Sequence, residues 1–325
     1  MALVTPGDFL AVLLRLIDEK KGPRVLRRLF SSTSERVRLT WDEGRPSVRN
    51  WYDIPRILTR QNKLVTGDEG VSTYEYVARA ILGRSGLSAV SLGCGTGSRE
   101  IEWAQTGCFN KILAMDISES RIGEARAKLE RTSVAGVVDF IAADILRYPF
   151  QPDSCDVVIA EGILHHLSPL QDVFDKIVQM LRPGGLFIMN DYIGPDRFQW
   201  GKEQVRFCDI LLRFIPDELR TYRGTSITKK RVWRPGTLSM RFHDPSEAVE
   251  PSGTMAFVGM HFPLLFRRDY GGTILQPLLK DIAHHFVQAT PQSEAVLQFL
   301  FDAEDYLMKS GMIGSDFTFL VGRKE

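Results

Sequence analysis

The chain has 325 residues, of which 44% are apolar and 25% charged, with a formal net charge of +1. That make-up supports a globular protein with a sizeable core and argues against a surface that traps nucleic acid as a whole. Cys94, Cys108, Cys155 and Cys208 show neither zinc-ligand spacing nor disulfide density, so they read as reduced thiols of a cytoplasmic protein.

Residues 1–85 read as a helical N-terminal extension. Asp8 is placed to cap a helix carrying Phe9, Leu10, Val12, Leu13, Leu16 and Ile17 at helical spacing. The apolar run ending at Ile17 is too short to cross a bilayer and has no cleavage site behind it, so no membrane partner is expected. The basic stretch Lys20, Lys21, Arg24, Arg27, Arg28, Arg36 and Arg38 reads as a solvated helix face. Trp41, Trp51 and Tyr52 fall in a connection, and a second helix is expected over 73–81 with Tyr74 and Tyr76.

From residue 88 short β-rich runs alternate with amphipathic stretches, the grammar of βαβ units and a parallel sheet. Strands are predicted at 89–92, 111–115, 137–142, 155–160 and 185–190, with helices at 119–128 and 170–181. Pro183-Gly184-Gly185 supplies a tight turn into the fifth strand. After Tyr192 the alternation stops. Residues 195–261 read as a helical insertion with one helix over 202–215, and the sheet resumes over 262–325. That last segment is expected to hold a strand at 264–268, helices at 274–288 and 292–309, and a final strand at 318–322. The fold class is thus α/β, a doubly wound, mostly parallel sheet over 86–194 and 262–325, with a helical extension and a helical insertion after the fifth strand.

The strongest motif is Gly93-Cys94-Gly95-Thr96-Gly97, where a buried strand turns into a helix beginning near Arg99. Glycines there permit tight turning and close approach of a ligand, and a helix N-terminus favours an anionic group. Alone, such a loop is also an ordinary strand–helix turn. A dinucleotide fingerprint would need Gly or Ala at position 98, where Ser98 stands. The spacing G-x-G-x-G suits an adenosyl ligand with a short zwitterionic tail. Asp116 closes the second strand, where a carboxylate can take both ribose hydroxyls. Asp144 closes the third, where it can accept from an adenine amino group with Ile117 and Ile145 beside the ring. Each aspartate alone reads equally well as a helix cap. Three such elements at successive strand ends favour the ligand.

With those residues in place, 88–194 resembles the Rossmann-like core of class I S-adenosylmethionine-dependent methyltransferases. The resemblance rests on the glycine motif, Asp116, Asp144, the run Leu181-Arg-Pro-Gly-Gly-Leu-Phe-Ile-Met and the segment Ile163-Leu-His165-His166-Leu after the fourth strand. It implies S-adenosylmethionine bound by Gly93, Cys94, Gly95, Thr96, Gly97, Asp116, Ile117, Asp144 and Ile145. The family's usual acid two positions before the first glycine is Ser91 here, and Glu161 or an N-terminal tyrosine is the expected substitute near the methionine end. Methyl transfer is an in-line displacement, and an oxygen acceptor also needs a base near neutral pH. His166 is the favoured base by analogy with related cores, with His165, Asp191 and Tyr192 as the other candidates. As neighbours, only one of the two histidines is expected to face the acceptor, and packing roles for both are an equal reading.

The implied function is methylation of a small molecule or glycan intermediate, at oxygen rather than nitrogen or carbon, with no metal and no nucleic-acid partner. A short-chain dehydrogenase is disfavoured by Ser98 and by the lack of a Tyr-x-x-x-Lys pair. A base-amino methyltransferase is disfavoured by Glu161-Gly-Ile-Leu in place of an Asn/Asp-Pro-Pro-aromatic segment. A protein methyltransferase and a non-catalytic binding module remain alternatives. The insertion is expected to act as a substrate lid. Phe198, Trp200, Phe207, Phe214 and Trp233 either line a pocket or pack it on the core, and Lys229, Lys230, Arg231 and Arg234 are either solvated or meet an anionic acceptor. His284 and His285 read as structural residues of a core helix.

Overall fold

The computed structural model describes residues 3–17 and 50–325; the basic stretch 20–38 and Trp41 lie outside the described residues. Seven strands form one sheet in the order β3-β2-β1-β4-β5-β7-β6. They are β1 (Leu87–Leu92), β2 (Phe109–Asp116), β3 (Val138–Ala142), β4 (Cys155–Glu161), β5 (Leu181–Tyr192), β6 (Leu264–Gly271) and β7 (Phe317–Arg323). β1 to β5 pair in parallel, whereas β7 runs antiparallel between β5 and β6. The predicted Rossmann-like, doubly wound class is therefore the observed one, and every expected strand is present.

Both faces of the sheet are covered, as a parallel sheet requires. Ile112, Ala114, Val157, Ile159, Ile188 and Phe319 point into a core that also holds Trp103 and Leu297. Their strand neighbours Met115, Val158, Ala160, Phe187, Met189 and Leu320 point into a second core with Phe174, Ile177 and Phe262. This alternation on consecutive residues is the two-residue period of a strand buried on both sides. The strand order reverses between β1 and β4, and in such sheets ligands bind outside the carboxyl ends at that point.

Several boundaries differ from the sequence expectation, each for a local reason. The first helix, α1 (Pro6–Ile17), starts ahead of Asp8. Asp8 lies at the third helical position, not at the N-cap, and accepts from the Thr5 N–H at 2.7 Å, the reach-back contact of a capping box, and from the Gly236 N–H at 3.0 Å, so it caps the helix from within and ties it to the insertion. A further helix, α2 (Pro55–Thr66), was hidden in what reads as a connection; Pro55 starts it and Gly67, at φ 90°, stops it. The helix α3 (Thr73–Val77) widens into a π turn over Ala78–Leu82 and closes at Gly83, whose φ is 59°. β5 begins at Leu181, because the Pro183–Gly185 segment is a bulge within the strand and not a turn before it. The expected helix over 274–288 breaks after Leu275–Leu279, and His284 and His285 sit on a short 3-10 turn.

Within 195–261, read above as an insertion, α-helices run over Lys202–Leu212, Thr237–His243 and Thr254–His261. It is not loosely attached. Phe198 and Trp200 are buried in the main core, Phe207 packs against it, and Phe214, at 66% exposure, lies with its ring 5.7 Å from that of Phe299. Packing on the core is thus what most of these aromatics do. Lys229 is the largest departure from the reading of solvated charge: it is buried and donates to the carbonyls of Pro277, Leu278 and Lys280. Arg231 lies over the Trp233 ring at 4.5 Å. Among the described residues no helix is long and apolar enough to cross a membrane.

Candidate active site

The loop after β1 carries three left-handed glycines, Gly93, Gly95 and Gly97, at φ 67°, 56° and 77°. They are glycines for different reasons. A Cβ on Gly93 would strike Ile163 at 2.4 Å, and one on Gly97 would strike Phe140 at 2.5 Å, so both let protein pack on protein. A Cβ on Gly95 would meet only the tip of Arg121 at 3.4 Å. That is where a ligand can approach the backbone. Helix α4 (Ser98–Gln105) follows directly, and Lys128 holds the loop by donating to Thr96 Oγ1 at 2.8 Å. Cys94 is buried, its N–H is bound to Met115 O at 2.9 Å, and burial pushes its thiol well up, so it packs as a small apolar residue.

Asp116, at the end of β2, accepts from the Gly95 N–H and the Ser118 N–H, both at 2.9 Å. Each oxygen keeps a lone pair for a hydroxyl. Ile117 beside it is 40% exposed, an apolar side chain left open at the sheet edge. Asp144 is fixed by the Leu146 N–H at 2.9 Å with its side chain 40% exposed, and Ile145 is buried beneath it. An apolar face flanked by two carboxylates, next to a glycine with room above it, fits an adenosyl group.

At the methionine end the structure brings together residues that the sequence reading did not. Ser91 donates to Glu100 Oε1 at 2.8 Å, so a carboxyl from α4 stands beside the strand position where the family usually has an acid. Burial pushes Glu100 up to about 7, against the pull of the Ser91 hydrogen bond. Glu161 is buried and accepts from Trp103 Nε1 at 3.0 Å and Asn190 Nδ2 at 3.4 Å. From Asn190 the network runs through Tyr270, whose hydroxyl donates to Asn190 Oδ1 at 2.6 Å, to Tyr52 at 3.2 Å. Arg99 donates to the Glu161 carbonyl, and solvent reaches the side chain. Partial desolvation pulls against its charge, but Glu161, Tyr74, Glu100 and Tyr52 hold it firmly protonated. A cation and a carboxylate side by side match the charges of an amino-acid tail. Arg99 had a signal in the sequence: a cation in the first turn of a helix opposes the helix dipole and calls for a compensating partner.

The other side of the mouth is formed by β4, β5 and the insertion. Asp191 is buried and accepts from the N–H groups of Ile163 at 2.8 Å, Leu164 at 2.7 Å and Tyr192 at 2.7 Å, and it is paired with His165 Nδ1. Burial opposes its charge, yet His165 and the backbone donors hold its carboxyl below the usual range. His166 Nδ1 faces the Ser246 carbonyl at 3.3 Å, and the two imidazole rings lie 4.0 Å apart. The two rings stand side by side, their planes tilted by 42°. Tyr192 is buried, its hydroxyl donates to Pro195 O at 3.0 Å, and burial pushes its pKa up, which ties it to the backbone instead of the mouth.

The profile of the methyltransferase-domain family matches residues 90–189, the segment that carries the loop, Asp116, Asp144, Glu161 and both histidines. Those residues are a class I S-adenosylmethionine-dependent methyltransferase domain, and its cofactor is S-adenosylmethionine. Among curated relatives, a sterol 24-C-methyltransferase of Gibberella zeae is 28% identical over 40% of this chain and 34% of its own length. The ubiquinone/menaquinone biosynthesis C-methyltransferase of Azotobacter vinelandii is 27% identical over 43% of this chain and 57% of its own. The 27-O-demethylrifamycin SV methyltransferase of Amycolatopsis mediterranei is 30% identical over 38% and 46%. The matched segment thus spans about a third to just over half of these relatives. The crystal structure of geranyl diphosphate C-methyltransferase from Streptomyces coelicolor A3(2) shares the fold of the methyltransferase domain with a TM-score of 0.52 at 11% identity, over 91% of this chain and 99% of that one.

Proposed function

We propose that the chain methylates an oxygen of a small molecule, a glycan intermediate among the acceptors to be tested, with the acceptor seated between the His165–His166 turn and the insertion. The observation that carries the oxygen is the Asp191–His165 pair at the strand ends. Bound S-adenosylmethionine supplies an electrophilic methyl group. Gly93 to Gly97, Asp116, Ile117, Asp144 and Ile145 hold its adenosyl part, with Arg99 and Glu161 at the charged tail. Asp191 keeps a proton on His165 Nδ1, which leaves Nε2 as the acceptor of the substrate proton, and a buried carboxylate stabilises the imidazolium that results. This moves the base from His166, favoured on the sequence, to His165. Removing the acceptor proton as the oxygen attacks is worth about 10²–10⁴ in rate.

A carbon acceptor is the second reading, since two of the three relatives above are named C-methyltransferases. The same histidine would then remove a proton from carbon. Incubating the protein with methyl-labelled S-adenosylmethionine and a cell extract, followed by mass spectrometry, tests both: a labelled product cleaved as an ether or ester supports oxygen, and a label retained on carbon overturns it.

A further inference from the structure

The turn after β4 sets the two imidazoles beside each other, with ring centroids 4.0 Å apart and planes tilted by 42°. Each Nδ1 faces an oxygen acceptor, the Asp191 carboxylate for His165 and the Ser246 carbonyl for His166. Those contacts put the proton of a neutral ring on Nδ1 and the lone pair on Nε2. Glu247 Oε1 lies 3.7 Å from His165 Nε2. That is long for a hydrogen bond and close to the ~3.4 Å between two ligands of a tetrahedral ion with ~2.1 Å bonds. One ligating atom from each of His165, His166 and Glu247 lies within 4.8 Å of the others. Small side-chain rotations would close that triangle on one ion.

The surroundings are those of a built site. Asp191 stands behind His165, fixed by three backbone N–H groups, in the place of the carboxylate that orients a ligating imidazole. Glu247 is held in place by its own backbone: its carbonyl accepts from Arg197 Nη1 at 2.9 Å, and the Val249 N–H donates to His165 O at 3.0 Å. Arg197, Phe198 and Ala248 around it all adopt left-handed φ, at 52°, 50° and 47°, without being glycine. Such strain persists where the surroundings enforce it and gathers at functional sites.

We propose that His165, His166 and Glu247 form a binding site for a divalent transition-metal ion of the zinc type, with Asp191 orienting His165. Two imidazoles and one carboxylate suit Zn²⁺ and its first-row neighbours better than Mg²⁺ or Ca²⁺, which take oxygen ligands. Three protein ligands leave one position open. Its use rests on the oxygen-methylation reading above: an acceptor hydroxyl bound there loses its proton to solvent water and keeps the electron pair for attack. His165 is then a ligand, and it acts as base only when no ion is bound.

The test is titration of the full chain, stripped with chelator, with Zn²⁺ by calorimetry and with Co²⁺ as a visible-absorption reporter of coordination. One ion per chain is expected, with a cobalt spectrum of four-coordinate nitrogen and oxygen ligation. Asp191→Asn should weaken binding ~10–100-fold, the range for losing a partner that orients a ligating imidazole; Glu247→Gln, which removes a ligand itself, should weaken it at least as much, and His166→Ala should change the cobalt spectrum. Retained binding of S-adenosylhomocysteine shows that a variant is folded; Glu247, partly exposed, is the substitution least exposed to that objection. No stoichiometric Zn²⁺ in the wild type, or uptake unchanged in a Glu247→Gln/His166→Ala double variant, overturns the proposal. Methyl transfer at full rate by protein that takes up no ion overturns the metal alone. Ion uptake with a product methylated at carbon overturns only the oxygen reading.

Discussion

The two halves of the sheet mouth are held together over very different lengths of chain. On the cofactor side the Gly95 N–H reaches Asp116 across 21 positions, and Asp144 is fixed by Leu146 two residues on. On the acceptor side His166 meets Ser246 across 80 positions, and Glu247 comes to His165 from the far end of the insertion. The first half is a property of consecutive βα units and survives whatever flanks them. The second exists only when the insertion is docked. The adenosyl end of the mouth is therefore built locally, while its methionine end, tied to Tyr52 and Tyr270 across 218 positions, and the side facing the insertion belong to the assembled chain.

The largest effect should come from cutting the acceptor half at its root. Asp191→Asn is expected to lower turnover ~10²–10⁴-fold while leaving calorimetric affinity for S-adenosylmethionine nearly unchanged, because the base loses its orienting charge. His165→Ala should match it, and His166→Ala should cost less. If His166→Ala proves the more damaging, the base returns to His166 and the dyad is only structural.

The converse cut falls on the cofactor half. Asp116→Ala should weaken S-adenosylmethionine binding by about 1.5–3 kcal/mol, since it removes a charged acceptor and frees the Gly95 and Ser118 N–H groups. Turnover at saturating cofactor should stay close to normal. A loss confined to turnover would mean that Asp116 organises the mouth without touching the ligand.

Lys229 probes the joint between the halves. Its ammonium group holds the carbonyls of Pro277, Leu278 and Lys280, so it ties the insertion to the core. Lys229→Met leaves those carbonyls without their donor and should cost about 2 kcal/mol of unfolding free energy. Hydrogen exchange should quicken first over 220–232, ahead of the sheet. Uniform quickening everywhere would show that insertion and core unfold as one unit and would speak against a lid.

The same contrast explains what could be read from the residues alone. Strands follow a short-range rule of period, and every expected one is present, β5 with an earlier start; the glycine loop, Asp116 and Asp144 follow short-range rules of spacing along successive strand ends. Glu247, Tyr52 and Tyr270 obey no spacing rule, because long-range packing alone brings them to the mouth. Lys229 misled for a related reason: a run of basic residues looks solvated until tertiary structure supplies carbonyls that repay its burial. The broken helix at 274–288 is another case, where apolar spacing suits a helix but Leu279 and Lys280 turn the chain so that the carbonyls can meet Lys229.

The smallest effect concerns Glu100, which takes the place of the missing acid near Ser91. Its buried carboxyl is pushed from an ordinary 4.5 up to about 7, so the folded state holds a proton there that the unfolded chain has already released. Between those two pH values the native form binds more protons, and stability from this group falls as pH rises. It is fully present below about pH 4.5 and lost above about 7. Glu100→Gln keeps an oxygen to accept from Ser91 and carries no charge to bury. The variant should therefore gain stability on the wild type as pH rises from 5 to 8, read from urea unfolding at both pH values. Cofactor binding separates two roles for the same carboxyl. If Glu100→Gln binds S-adenosylmethionine as tightly as the wild type, the protonated form is the working one and the family's acid is dispensable here. If affinity drops at pH 8 while stability rises, the ionised carboxyl serves the ligand, and the chain gives up stability to keep it.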